Sequence, residues 1–136
     1  MIEFVSGTNL DDILVLIRRY QEFYGATRVS DSSNRHFFSQ FGKSSSLGCQ
    51  FLFRQGDFAA GFATVYFFYA STIAAKVGVL NDLYVLPGSR GEGIGRDLVN
   101  HAYQCTLDNG AVRLQWGTAF DNQKAQKLYN SMGVKK

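Results

Sequence analysis

Three glycines alternate with other residues at Gly91, Gly93 and Gly95, and two arginines, Arg90 and Arg96, flank them. An apolar run from Val79 to Leu86 stops at Pro87 just upstream. Apolar residues then recur at Ile94, Leu98, Ala102 and Cys105, a helical spacing. Strand, glycine loop and helix in that order aim free backbone N–H groups at a phosphate, with the positive end of the helix dipole behind them. Glycine reaches positive φ freely and, without a Cβ, lets a ligand approach the backbone. The N–H groups of Gly91, Gly93, Ile94, Gly95 and Arg96 are the candidate donors, and the Arg90 guanidinium can pair with phosphate oxygens as a fork. A bare strand-to-helix turn is the plain alternative, but three glycines between two arginines exceed what a turn requires. Glu92 has the wrong charge for such a site and is expected to face solvent.

Spacing excludes the commonest phosphate loops. A dinucleotide fingerprint needs G-x-G-x-x-G, and its last position falls on Arg96 or Leu98; a P-loop needs a lysine that neither frame offers. Arg90-Gly-Glu-Gly93-Ile-Gly95 instead fits R/Q-x-x-G-x-G/A, and this resembles the pyrophosphate loop of the GNAT acetyltransferase superfamily, which binds acetyl-coenzyme A. Upstream, Asn81-Asp-Leu-Tyr-Val-Leu-Pro87 is similar to the family's central strand. Downstream, Asn122 through Gly133 is similar to its second cofactor helix. The likeness covers roughly the last 60 residues.

The resemblance implies roles. The strand at Leu83, Tyr84 and Val85 would splay from its neighbour and pair its backbone with the pantetheine arm, as an added strand does. An N–H of Leu83 or Val85 would polarise the thioester carbonyl. Tyr129, within an A-x-x-L-Y-x-x-x-G-like helix (Ala125, Leu128, Tyr129, Gly133), would be the general acid to the departing sulfur; a core tyrosine is the plainer reading. Asn122 would bond the pantetheine arm or simply cap its helix. The base is harder to place. Spermidine/spermine-type members carry a glutamate where this chain has Asn81, which cannot take a proton. Asp82 is the nearest carboxylate, either a base or a strand-end surface charge; a water chain or a less basic amine would serve in its absence.

Composition bounds the rest. The chain has 136 residues, 46% hydrophobic and 18% charged, which suits one globular domain over 1–136. No apolar run approaches a membrane span and no signal peptide is visible. Cys49 and Cys105 read as lone thiols, so a reducing cytoplasm is the default. With two His, a zinc site is not expected. The net charge of +3 is scattered, which argues against nucleic acid, including a toxin-like activity on aminoacyl-tRNA.

The pattern predicts a strand at Ile2–Val5 and a helix capped by Thr8 with Leu10, Ile13, Leu14, Ile17, Tyr20 and Tyr24 on one face. A second helix follows over Ser30–Phe41. Strands are expected at Cys49–Phe53, Phe58–Tyr69 and Ile73–Leu86, then a helix from Gly93 to Leu107, a strand at Ala111–Trp116 and a last helix. This β-α-α-β-β-β-α-β-α order means an α/β (α+β) fold: a mixed, mostly antiparallel sheet flanked by helices. Tyr20, Phe23, Tyr24, Phe37 and Phe38 are expected mostly in the core; the resemblance implies that some line an amine pocket. Family members normally add a closing hairpin, which this sequence stops short of at Lys136. That would leave Ala111–Trp116 as an open edge, with two alternatives: the chain is cut short, or a second subunit in a homodimer covers the edge. The expected activity is acetyl transfer from acetyl-CoA to a small-molecule primary amine. A non-catalytic acyl-CoA-binding or assembly module is the rival, motivated by Asn81 and the missing hairpin.

Overall fold

The computed structural model describes residues 1–43 and 45–116. Strand β1 (Ile2–Phe4) is followed by helices α1 (Leu10–Phe23) and α2 (Asp31–Phe38). Strands β2 (Gly48–Gln55), β3 (Phe58–Ala70) and β4 (Ala75–Val85) come next. A single 3-10 turn (Pro87–Ser89), helix α3 (Ile94–Asp108) and strand β5 (Leu114–Trp116) complete the described chain. The strands lie in sequence order in one sheet. All neighbours are antiparallel except β4 and β5, which α3 joins as a parallel crossover. The expected order holds throughout these residues, and the predicted last helix lies outside them.

The sheet buries both faces. On one, Phe51, Ala63, Val65 and Leu80 pack against Ile94, Leu98, Val99 and Ala102 of α3. On the other, Leu52, Phe62 and Tyr84 pack against Ile13, Leu16 and Ile17 of α1, with Phe38 and Phe41 beside them. Each such side chain contributes ~1.5–3 kcal/mol on full burial, so the two layers hold the sheet rigid beneath the site. One irregularity matters for function. Thr64 pairs with Asp82 but Val65 pairs with Leu80, so Asn81 is an extra residue bulged out of β4. The bulge restores alternation in a new phase: Leu80 and Leu83 both face α3, while Asp82 and Tyr84 face α1.

Local chemistry moved several expected boundaries. Helix α1 starts after Asn9, not Thr8. The Asn9 amide accepts from the Ser6 N–H (2.8 Å) and donates to the Phe4 carbonyl (2.9 Å), tying the helix entry to β1. Gly25 ends α1 at φ 77°, as its position suggested. Ser30 caps α2 by accepting from the Ser33 N–H at 3.1 Å. Strand β5 is shorter than expected, although Val112 N–H already bonds the Lys76 carbonyl (3.0 Å).

Two expectations are corrected. Cys49 and Cys105 are not lone thiols: β2 and α3 bring their sulfurs together as a disulfide, 56 residues apart in sequence. The aromatics of the first two helices are not mostly core: Phe23, Tyr24 and Phe37 are exposed, and of the five, Tyr20 included, Phe38 alone is buried. Among the described residues no helix is long and apolar enough to cross a membrane.

Candidate functional site

Pro87 opens the turn after β4, and two glycines complete it. Gly91 and Gly93 sit at φ 83° and 84°, the left-handed region that L-residues with a side chain adopt at a cost. A Cβ on either would meet nothing within 4 Å, so backbone conformation, and not crowding, requires glycine there. Gly93 is the N-cap of α3, and no side chain caps it. The first intrahelical bond runs from Asp97 N–H to the Gly93 carbonyl (3.0 Å). The amides of Ile94, Gly95 and Arg96 therefore carry the unpaired donors of a helix start. Gly95, the third glycine of the motif, lies in the first turn of α3.

Side chains brace this turn from behind. Ser89 Oγ donates to Gln55 Oε1 (2.9 Å), and Gln55 Nε2 donates to Glu92 (3.3 Å). Glu92 is exposed, as expected, yet it has a role: with Gln55 it pins the turn to the end of β2. Arg90 donates through Nε to the Val85 carbonyl (2.8 Å), and its guanidinium lies 5.7 Å from the Tyr84 ring centre. The cation is thus held beside the turn.

Among the described residues, no strand covers the edge of β4 next to the turn. Strand β5 pairs only with Gly78–Leu80, so among the described residues β4 has no strand beside it from Asn81 to Val85. Leu86 N–H bonds Ala60 of β3, which fixes the alternation. Tyr84 turns its backbone to β3, opposite Phe62, and its ring to the α1-side core. Leu83 and Val85 turn theirs to the open edge. Leu83 and Val85 thus turn their backbones to the edge and their side chains to the α3-side core, while Tyr84 does the reverse on the α1 side.

Asp82 is 6% exposed, so it is not a strand-end surface charge. Asn81 Nδ2 donates to its Oδ1 (3.1 Å) and Tyr66 Oη to its Oδ2 (3.4 Å). Tyr20 and Thr64 also favour the charged carboxyl, and the Tyr20 hydroxyl donates to the Asn81 carbonyl at 3.5 Å. Burial pushes the Asp82 carboxyl above its ordinary value of 3.8, against the pull of these four donors. The phenols of Tyr20 and Tyr66 are pushed up by burial and by the neighbouring carboxylate, so they stay protonated donors. A buried carboxylate with a raised pKa lies at the α1 face of β4, a perturbation of the kind found at functional sites.

Sequence reasoning missed Gln50, Gln55, Thr64 and Tyr66. The signal for Gln50 and Thr64 was a lone polar residue inside an apolar strand run, Cys49–Phe53 and Ala63–Val65 respectively. Asn122 and Tyr129 lie outside the described residues. The described ones fit a diphosphate-bearing thioester carrier: two left-handed glycines, an uncapped helix start and an open strand edge meet at one place.

Comparison with known proteins agrees with this geometry. Residues 13–134 match the model of the acetyltransferase (GNAT) family. The chain is 29% identical over 121 residues to the uncharacterized N-acetyltransferase YhfO of Bacillus subtilis, covering 89% of this chain and 80% of that one. It is 34% identical over 80 residues to the thialysine N-epsilon-acetyltransferase of Bos taurus. That match covers 59% of this chain and spans about half of the relative's length, 46%. A crystal structure of a probable acetyltransferase superposes with a TM-score of 0.84 at 29% identity, covering 100% of this chain and 90% of the other. A glycine turn that opens a helix directly after a sheet strand, in a chain whose residues 13–134 match the family model, places this chain in the acetyltransferase (GNAT) family.

Proposed function

We propose that this acetyltransferase moves an acetyl group from acetyl-CoA to a primary amine of a small molecule by direct attack. The observation that carries the reading is the meeting of the Gly91–Gly93 turn, the open β4 edge and the buried Asp82 carboxylate around one stretch of strand. The N–H groups of Gly91, Gly93, Ile94, Gly95 and Arg96, with the Arg90 guanidinium, would hold the diphosphate. The Leu83 and Val85 backbones would hold the pantetheine arm, and one of their N–H groups would donate to the acyl oxygen, a contact that typically carries ~3 kcal/mol of transition-state stabilisation. Tyr84 would act through Arg90, whose guanidinium it supports. Asn122 would hold the arm from the other side. When bound, acetyl-CoA supplies an acyl group on a sulfur that leaves readily, since a thiol has a pKa of about 8.5.

The chain's task on the acceptor side is deprotonation. At neutral pH only about one alkyl amine in 10³ is uncharged. Asp82 would take the proton, its carboxyl raised by burial towards the range where a base is effective. Tyr129 would return a proton to the departing sulfur. The thialysine-acetylating relative fits a small amine acceptor. A homodimer is part of the proposal, read by sedimentation of the purified chain.

Calorimetric titration with acetyl-CoA, followed by an amine screen that detects released CoA thiol, tests the reading. Binding and amine-dependent thiol release are expected; no binding at millimolar acetyl-CoA would overturn it. Tyr129→Phe should lower turnover by ~10²–10⁴ and leave acetyl-CoA affinity in place.

A further inference from the structure

Gln50 of β2, Thr64 of β3 and Asp82 of β4 stand side by side across the sheet, because Gln50 pairs with Thr64 and Thr64 with Asp82. Gln50 and Thr64 are fully buried beneath α1. Gln50 Nε2 donates to Thr64 Oγ1 at 3.0 Å, and Thr64 stands directly opposite Asp82 on the same face, where its hydroxyl favours the charged carboxyl. A hydroxyl has one proton to give. Since Thr64 Oγ1 accepts from Gln50, its proton is directed at the carboxylate.

Gln50 also carries a feature that packing alone does not call for. Among the described residues its Oε1 is buried without a hydrogen-bond partner. A buried orphan acceptor is costly, and an apolar residue at this site would avoid it. Turning the amide over would bring Oε1 to Thr64 and draw the hydroxyl proton away from Asp82. The observed orientation is the one that serves a charged Asp82. The groups facing the carboxyl are Tyr20 from α1, Thr64 and Tyr66 from β3, and Asn81 from β4. Among the described residues no Lys, Arg or His pairs with it.

We propose that Gln50 and Thr64 are positioning residues, a two-link relay that aims the Thr64 hydroxyl at Asp82 and sets how readily this carboxylate takes a proton from the acceptor amine. The proposal rests on the reading of Asp82 as the base, and its test separates the two. Carbon-13 titration of the Asp82 carboxyl, in the full chain without acetyl-CoA, reads the relay directly. The acidic limb of kcat/KM against pH reads its use in the reaction.

Thr64→Val removes the donor to the charged form and should raise the Asp82 midpoint by about one pH unit. Thr64→Ser keeps the hydroxyl and should restore the native midpoint. Gln50→Leu should shift it in the same direction by less. It also removes the orphan oxygen, so it decides the question should Thr64→Val fail to fold. An Asp82 midpoint unmoved in the folded variants overturns the relay. A midpoint that moves while the kcat/KM limb stays supports the relay and overturns Asp82 as base.

Discussion

Replacing Gly93 by alanine tests the turn most directly. At φ 84° an L-residue in the left-handed region costs ~1–2 kcal/mol. Nothing lies within 4 Å of the new Cβ, so no steric term adds to it. For a chain of this length that loss is a fall in Tm of about 3–7 °C. Relaxing the strain would swing the first amides of α3. Losing one charge-assisted N–H contact to a phosphate costs ~1.5–3 kcal/mol, which weakens acetyl-CoA binding about 10- to 100-fold. Chemical denaturation measures the first effect and calorimetry the second. Gly7→Ala is the control: its Cβ also meets nothing, its φ lies outside the left-handed region, and it should stay within ~0.5 kcal/mol. Asparagine tolerates the left-handed region, so Gly93→Asn should recover part of the stability. A Gly93→Ala protein with native stability would refute the conformational argument. One that is destabilised but binds acetyl-CoA natively would refute the assignment of these amides to the diphosphate.

Asp82→Asn should lower kcat/KM by ~10²–10⁴ and raise thermal stability at neutral pH, as scanning calorimetry would read. The sign follows from linkage: burial raises the carboxyl in the native state, so the native protein binds this proton more tightly than the unfolded chain. Asp82 therefore supports folding most at low pH, and the advantage of the amide variant over it should grow as pH rises from the ordinary carboxylate range through the raised native value. Glu3 behaves oppositely. Its bonds to Arg54 and Asn9 hold its carboxyl below the ordinary value of 4.5. Glu3→Gln should destabilise at neutral pH, and denaturation curves should show the difference vanish as pH falls through the lowered value. Gly48→Ala places a Cβ 1.9 Å from the Val65 carbonyl oxygen, a backbone atom that cannot step aside. A loss of at least ~1–3 kcal/mol is expected in urea denaturation.

How much of the site was legible in sequence differs from part to part. The Arg90–Gly95 turn was readable because its requirements are local: a positive φ and a helix start act over a few residues, and glycine is their signature. The element order was readable for the same reason, since periodicity reports which face of a segment is apolar. Asp82 stood between two readings, because sequence does not say what covers a strand residue. The Asn81 bulge removed the surface reading by turning Asp82 to the α1 face, beneath Tyr20 and beside Tyr66.

Sequence by itself determined the turn, the strand before it, the helix after it and the order of the elements, because each depends on the conformational preferences of neighbouring residues. Tertiary structure alone decided the rest. Gln50, Thr64 and Asp82 form a row only once β2, β3 and β4 are in register; Cys49 meets Cys105 only once α3 lies on the sheet; and Leu83 and Val85 turn their backbones away from β3 only through the register that follows the Asn81 bulge. Each of these joins residues distant along the chain, and what brings them together is the burial of two apolar layers, not any local preference.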